Sequence, residues 1–145
     1  MNRQEVIDFL REEIKRTEAK LNELARQKAG ADNPRTSWHS QVHLDLERSI
    51  ADYQRYRDRC SRVLDAVEKN RINDYIHEGS IVSLSIGGEE DDYIIVKEGG
   101  AAIGRYAVVS AKSPIGEAIW DKQAGDEAMA KTPQGKIAIT IIRVA

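Results

Sequence analysis

Two series of mainly apolar residues in the first half of the chain repeat at intervals of three and four positions, and this repeat constrains the fold most strongly. Such spacing keeps one line of side chains on one side of a helix, where it can pack against a second helix. The first series is Ile7, Leu10, Ile14, Thr17, Leu21 and Leu24, and the second is Leu46, Ile50, Tyr53, Arg57, Cys60, Leu64 and Val67. The sequence therefore predicts two long helices, each with one packing seam.

The segment between the two series, residues 29–37, contains signals that end one helix and begin another. Pro34 cannot occupy a helix interior because it lacks an N–H group and clashes with the preceding turn. If the chain reverses near Arg35, the two seams come into phase, with Leu10 opposite Cys60. The sequence thus predicts an antiparallel coiled-coil hairpin over residues 1–75, and a coiled coil between two chains is the alternative. A folded-back hairpin predicts a monomer.

The second half of the chain has a different composition, because nine of the ten glycines lie between Gly79 and Gly135. Glycines between apolar, β-branched runs are typical of turns that connect strands. Ser113 as N-cap followed by Pro114 predicts a short helix that reaches Trp120. Strands are predicted at 80–86, 93–96, 106–109, 127–131 and 136–144. Residues 76–145 are therefore expected to form a small α+β domain, with the boundary at 73–78.

Several functional classes are disfavoured by composition. A net charge of −2 argues against a strongly basic protein that coats nucleic acid. There is no apolar run of membrane-spanning length, the start lacks a secretion signal, and the single cysteine, Cys60, fits a reducing compartment. We therefore expect a soluble, cytoplasmic protein. Neither a nucleophile with its base nor a phosphate-binding loop is recognisable, so we expect no enzymatic site, resident metal or cofactor.

Three arginines of the second predicted helix share one side of it, and we call them the arginine stripe: Arg55, Arg59 and Arg62. Their spacing of four and three residues makes them candidates for contact with RNA or phosphate. Asp52 and Asp58 lie beside them, so a solvated face with internal ion pairs is the alternative.

Motifs in the second half resemble those of the bacterial Gre transcript-cleavage factors, a family of transcription elongation factors. Residues 79–84 are similar to the opening strand of that family, and residues 113–119 to its Ser-Pro-Leu helix. Residues 125–127 and 131–135 are similar to its Gly-Asp-Glu and Lys-Thr-Pro-Gly-Gly elements. The motifs follow the order and approximate spacing of the family.

The resemblance implies an FKBP-like fold for residues 76–145 and RNA polymerase as the partner. In Gre-like proteins this domain docks at the mouth of the polymerase secondary channel, and the coiled coil reaches toward the polymerase active site. Docking would involve Ser113, Pro114 and Ile115. In the cleaving members, two acidic residues at the coiled-coil tip help to hold a Mg²⁺ ion that is shared with the polymerase. Any RNA cleavage would therefore occur in the polymerase.

At the tip, this sequence departs from the cleaving members. Asp32 is the one carboxylate available there, with Asn33 and Arg35 beside it. A single carboxylate next to a cation is a poor Mg²⁺ site, because hard cations require several oxygen ligands. The expected function is therefore modulation of elongation or initiation from the secondary channel, with little or no stimulation of cleavage. The alternatives are a cleavage factor that uses Asp32, a prolyl isomerase and a coiled-coil dimer that does not bind polymerase.

Overall fold

The computed structural model describes residues 2–31, 37–71 and 73–145. Two long helices come first, α1 over Arg3–Ala31 and α2 over Ser37–Lys69. The predicted tip residues Asp32, Asn33 and Arg35 lie outside the described residues. Among the described residues, no helix has an apolar stretch long enough to cross a membrane.

The chain divides into two compact units. The hairpin unit is Asp8–Arg62, and the sheet unit combines Met1–Ile7 with Val63–Ala145. The sheet unit thus includes one end of each long helix. The predicted boundary between domains 1–75 and 76–145 concerns units that fold independently, and it stays a prediction.

In the hairpin unit, polar contacts show that α1 and α2 run antiparallel. The Tyr56 hydroxyl donates to Glu13 Oε1 at 2.8 Å, and Lys28 Nζ lies 3.5 Å from Glu47 Oε1. The later residue of α1, Lys28, thus contacts the earlier residue of α2, Glu47, as in antiparallel helices. This confirms the hairpin and fixes its register.

Some side chains of the predicted seam are buried and others are exposed. Leu10, Leu24 and Cys60 are buried. Thr17 is also buried, and its hydroxyl is satisfied because it donates to the carbonyl oxygen of Glu13 at 2.7 Å. Tyr53, which the repeat places in the seam, is instead 37% exposed. The seam prediction is wrong at Tyr53. Tyr56 is half-buried and makes the interhelical contact described above.

Replacing Tyr56 by phenylalanine is expected to lower the free energy of unfolding by about 1 kcal/mol, because Glu13 loses its hydrogen-bond donor. Burial, followed by the bond to Glu13, raises the pKa of Tyr56. Since the folded state retains this proton to higher pH than the unfolded chain, stability is lost as pH rises above about 10. Urea unfolding followed by helical circular dichroism at pH 8–11 should show a shallower alkaline loss in Tyr56→Phe. An unchanged pH slope would contradict this.

The sheet unit contains one mixed five-stranded sheet. Its strands are β1 (Ile81–Ile86), β2 (Glu89–Val96), β3 (Ala107–Ser110), β4 (Glu127–Thr132) and β5 (Gly135–Val144). The order across the sheet is β3-β2-β1-β5-β4, with β2 and β3 parallel and the other neighbours antiparallel. The helix α3 (Pro114–Ile119) follows β3. Five strands and one short helix agree with the predicted α+β class.

The hairpin between β1 and β2 turns at Gly87 and Gly88, both of which have positive φ angles. The acidic run that follows, residues 89–92, lies within β2, so the strand begins four residues earlier than the predicted 93–96. Pairing with β1 accounts for the difference, because Ser83 lies opposite Asp92 and its hydroxyl donates to Asp92 Oδ1 at 2.5 Å.

The main core lies where the sheet packs against α3. Its buried members are Ile76, Val82, Leu84, Ile95, Ile119, Ala130, Ile139 and Ile141. Alternate residues of β1 and β2 point to the opposite face of the sheet, where Ile81 and Ile94 are paired and fully buried. The central strands are thus buried on both faces of the sheet at these positions.

Candidate functional site

The predicted docking residues lie in the connection between β3 and α3, residues 110–116, which we call the capped loop. The hydroxyl of Ser113 accepts a hydrogen bond from the N–H of Gly116 at 3.1 Å and donates to the carbonyl oxygen of Ser110 at 2.7 Å. Pro114 follows in the first turn, where its missing N–H costs nothing. Ser113 therefore fixes the start of α3, as the sequence predicted.

Side-chain contacts tie the same loop to the end of β2. The Ser110 hydroxyl donates to the carbonyl oxygen of Lys97 at 3.1 Å and accepts from the N–H of Lys112. Lys112 Nζ lies 2.6 Å from Glu98 Oε1, an exposed ion pair of small expected energy. These contacts brace the loop at both ends.

Gly116 permits the close approach of α3 to β3. A Cβ atom at this position would lie 1.8 Å from the carbonyl oxygen of Ser110, a distance at which the backbone must move. A glycine in a helix is intrinsically unfavourable relative to alanine. The contact explains why this position carries one, and sequence reasoning did not identify it.

The three predicted docking residues have different surroundings. Ser113 is engaged in the cap, Ile115 packs against the core, and Pro114 is exposed. Lys112 and Glu117 are exposed on either side of Pro114. The surface that the capped loop presents is therefore Pro114 with a cation and an anion beside it, while Ser113 and Ile115 hold it in place.

The arginine stripe lies in the hairpin unit along a groove of about 550 Å³, lined by Asp52, Arg55, Tyr56, Asp58, Arg59 and Arg62. Arg55 forms an ion pair with Asp52. The guanidinium carbon of Arg59 lies 5.4 Å from the centre of the Tyr56 ring, a cation–π geometry. The three predicted arginines thus line one groove, and its two aspartates keep the solvated-face alternative open.

The described residues contain no cluster of three or more His, Cys, Asp or Glu side chains suited to a metal ion. His43 Nε2 lies 3.0 Å from Glu47 Oε1, the carboxylate that also meets Lys28. Cys60 is fully buried, and burial raises the pKa of its thiol. A buried thiol of raised pKa is unreactive.

The aromatic side chains relevant to the prolyl isomerase alternative are Tyr93, Tyr106 and Trp120. Tyr93 and Trp120 pack against the main core. Tyr106 is buried, and its hydroxyl accepts a hydrogen bond from Arg105 at 2.9 Å. All three therefore contribute to packing in the sheet unit.

Comparison with known proteins gives the following similarities. A family model described as the C-terminal domain of transcription elongation factor GreA/GreB matches residues 71–145. GreA of Streptococcus sanguinis is 35% identical over 81 residues, which cover 55% of this chain and 48% of that protein. GreA of Streptococcus pneumoniae is 33% identical over 72 residues, covering 49% of this chain and 45% of that protein. The chain spans about half the length of the curated relatives it matches.

The chain also aligns with solved structures. Gfh1 of Thermus aquaticus aligns over 94% of this chain and 92% of its own length, with a TM-score of 0.44 and 17% identity. A GreA/GreB factor from Nitrosomonas europaea aligns over 84% of this chain and 91% of its own length, with a TM-score of 0.41 and 15% identity.

The family match includes the motifs on which the resemblance rested. It covers the opening strand β1, the capped loop with α3, and the hairpin of β4 and β5. Because the matched residues 71–145 are more than half of the chain, the protein belongs to the GreA/GreB family of transcription elongation factors.

Proposed function

We propose that this protein binds RNA polymerase at the secondary channel and modulates elongation or initiation with little or no stimulation of transcript cleavage. Membership of the GreA/GreB family is the observation that carries the proposal. One copy would act on one polymerase, and the reaction affected would be that of the polymerase.

The capped loop is the proposed docking element. It is braced by Ser110, Ser113 and the contact at Gly116, so its surface is ordered before binding. A preformed surface loses less conformational entropy on association than a flexible one. Pro114 is the proposed contact, with Ser113 and Ile115 acting as positioning residues.

The proposed absence of efficient cleavage rests on the residue types at the tip. Asp32 with Asn33 and Arg35 supplies one carboxylate and a neighbouring cation. These donors do not fit a Mg²⁺ site of this chain's own, since Mg²⁺ requires several oxygen ligands in octahedral geometry. In the proposed function no cleavage step therefore uses residues of this chain, and Mg²⁺ would belong to the polymerase active site.

The arginine stripe is the proposed contact for RNA or phosphate. Its members line one groove of the hairpin unit, and arginine binds phosphate in bidentate geometry. Asp52 forms an ion pair with Arg55 and so competes with a phosphate for it, which makes the net positive charge of the stripe smaller than that of three cations. Replacing all three arginines by glutamine is expected to weaken binding to an elongation complex more strongly at low salt than at high salt.

The function is tested with a backtracked elongation complex that carries labelled RNA, and with promoter-dependent synthesis by polymerase from the same organism. We expect altered synthesis without RNA shortening. Pro114→Asp should abolish the effect while preserving the fold, because an acidic residue in the first helical turn is favourable. Pro133→Asp, at an exposed proline in the β4–β5 turn, is the matched control and should behave as wild type.

Two outcomes would overturn the proposal. RNA shortening that is lost in Asp32→Ala would identify an active cleavage factor that uses one tip carboxylate. No response in either assay, together with failure to co-purify with polymerase, would contradict polymerase as the partner.

A further inference from the structure

The strand β4 forms one edge of the sheet, and among the described residues its single neighbouring strand is β5. Thr132 and Gly135 form the β4–β5 pair next to the turn, with two residues between them. From this pair onward, hydrogen-bonded and non-hydrogen-bonded pairs alternate along the two antiparallel strands. The same alternation continues at Asp126, just before β4, because its carbonyl oxygen accepts a hydrogen bond from the N–H of Ile141 in β5 at 2.9 Å. The intervening Glu127, Met129 and Lys131 therefore direct their backbone groups toward the open edge.

The side chains of these three residues also share a face. Ala130 is buried in the main core and Ala128 packs against it, so the alternate residues of β4 point away from the core. Met129 is 55% exposed although it is apolar. Lys131 lies opposite Lys136 of β5, an unfavourable pairing of like charges. The outer face of β4 thus presents an anion, an apolar residue and a cation in that order.

This order makes β4 complementary to itself. In an antiparallel pair centred on Met129, Glu127 of one copy lies opposite Lys131 of the other, and the same pairing occurs on the other side of the twofold axis. The three residues that face the open edge are also the ones whose backbone groups would bond in this register. Ala128 and Ala130 then lie opposite each other and offer no steric obstacle.

From this complementarity we propose that β4 pairs antiparallel with β4 of a second copy of the chain and joins the two sheets. A lysine at a sheet edge ordinarily discourages pairing, but a glutamate four residues away offers it a partner in this register. The contact involves six residues per copy, so the pairing is weak and the dilute protein is monomeric. This pairing is independent of the proposed function.

The test uses charge exchange on the full chain. Glu127→Lys and Lys131→Glu each place like charges opposite each other twice in the paired edge, and the double variant restores opposite charges. Sedimentation velocity is measured from roughly 1 µM to roughly 1 mM protein. We expect wild type and the double variant to dimerise, and each single variant to have a dissociation constant about tenfold higher or more.

A one-to-one mixture of the two single variants tests the charge pairing most directly. One variant then presents two lysines and the other two glutamates, so the mixture should dimerise at concentrations at which each component alone is monomeric. Dimerisation in the mixture also shows that both variants are folded. Wild type that stays monomeric to the highest concentration, single variants that dimerise like wild type, or a mixture that does not associate would each overturn the pairing.

Discussion

Replacing Gly116 by alanine is expected to lower the free energy of unfolding of the sheet unit by about 3 kcal/mol. The added Cβ would lie 1.8 Å from the carbonyl oxygen of Ser110 and 2.8 Å from Cα of Ala111, and both atoms belong to the backbone. No rotation of a side chain can relieve such a contact. Relief requires α3 to move away from β3, and this movement also pulls Ser113 from its hydrogen bond to the carbonyl oxygen of Ser110.

The measurement is urea unfolding of Gly116→Ala, read as a lower midpoint at unchanged slope. Gly30→Ala is the matched control, because nothing lies within 4 Å of the added Cβ and the residue is in a helix. That control should lose no stability and gain at most about 1 kcal/mol from the better helix propensity of alanine, since the residue lies near the end of α1. A Gly116→Ala variant as stable as wild type would contradict the close approach of α3 to Ser110.

The second large effect concerns Arg3, whose guanidinium joins four segments of the sheet unit. It donates to the carbonyl oxygens of Val67 and Ala145, both at 2.7 Å, and to that of Gly79 at 3.3 Å. It also donates to Asn70 Oδ1 at 3.0 Å. Burial lowers the pKa of Arg3, and the four acceptors compensate for the loss of water around the charge.

Arg3→Ala is expected to cost about 3 kcal/mol, because several partly buried acceptors lose a charged donor at once. Arg3→Lys should recover only a minor part, since one ammonium group cannot reach acceptors that the planar guanidinium spans. Thermal and urea unfolding measure both variants. Lys69→Ala, which removes a cation from an exposed pair with Asp65, is the control and should change stability by less than about 1 kcal/mol. Equal effects of Arg3→Ala and Lys69→Ala would show that the Arg3 contacts are not formed.

Much of the fold was predictable because local patterns decide it. The repeat of apolar residues in the first half required two helices, and the stop signals near Pro34 indicated that they pair antiparallel. Ser113 and Pro114 predicted α3 because capping depends on a few neighbouring residues. The strand predicted at 93–96 left out the acidic run at 89–92, because the place of this run in β2 depends on pairing with β1.

The candidate site was predictable only in part. The sequence identified the capped loop and the arginine stripe through residue types and spacing. It did not show that Ser113 and Ile115 face inward while Pro114 is exposed, because exposure depends on how α3 packs on the sheet. The Asp52 contact with Arg55 was foreseen as an alternative, but the role of Tyr56 in holding Glu13 was not.

By itself, the sequence determined the helices, most strand positions, the α+β class and the family resemblance, since all of these follow from contacts or motifs within short stretches of chain. Only the tertiary structure decided the strand order, the hydrogen bonds of the Arg3 guanidinium and the close contact that requires Gly116. Arg3 meets residues 64 to 142 positions away, and no local pattern encodes such a contact. It exists because folding brings an early helix, the end of α2 and the sheet together in one compact unit.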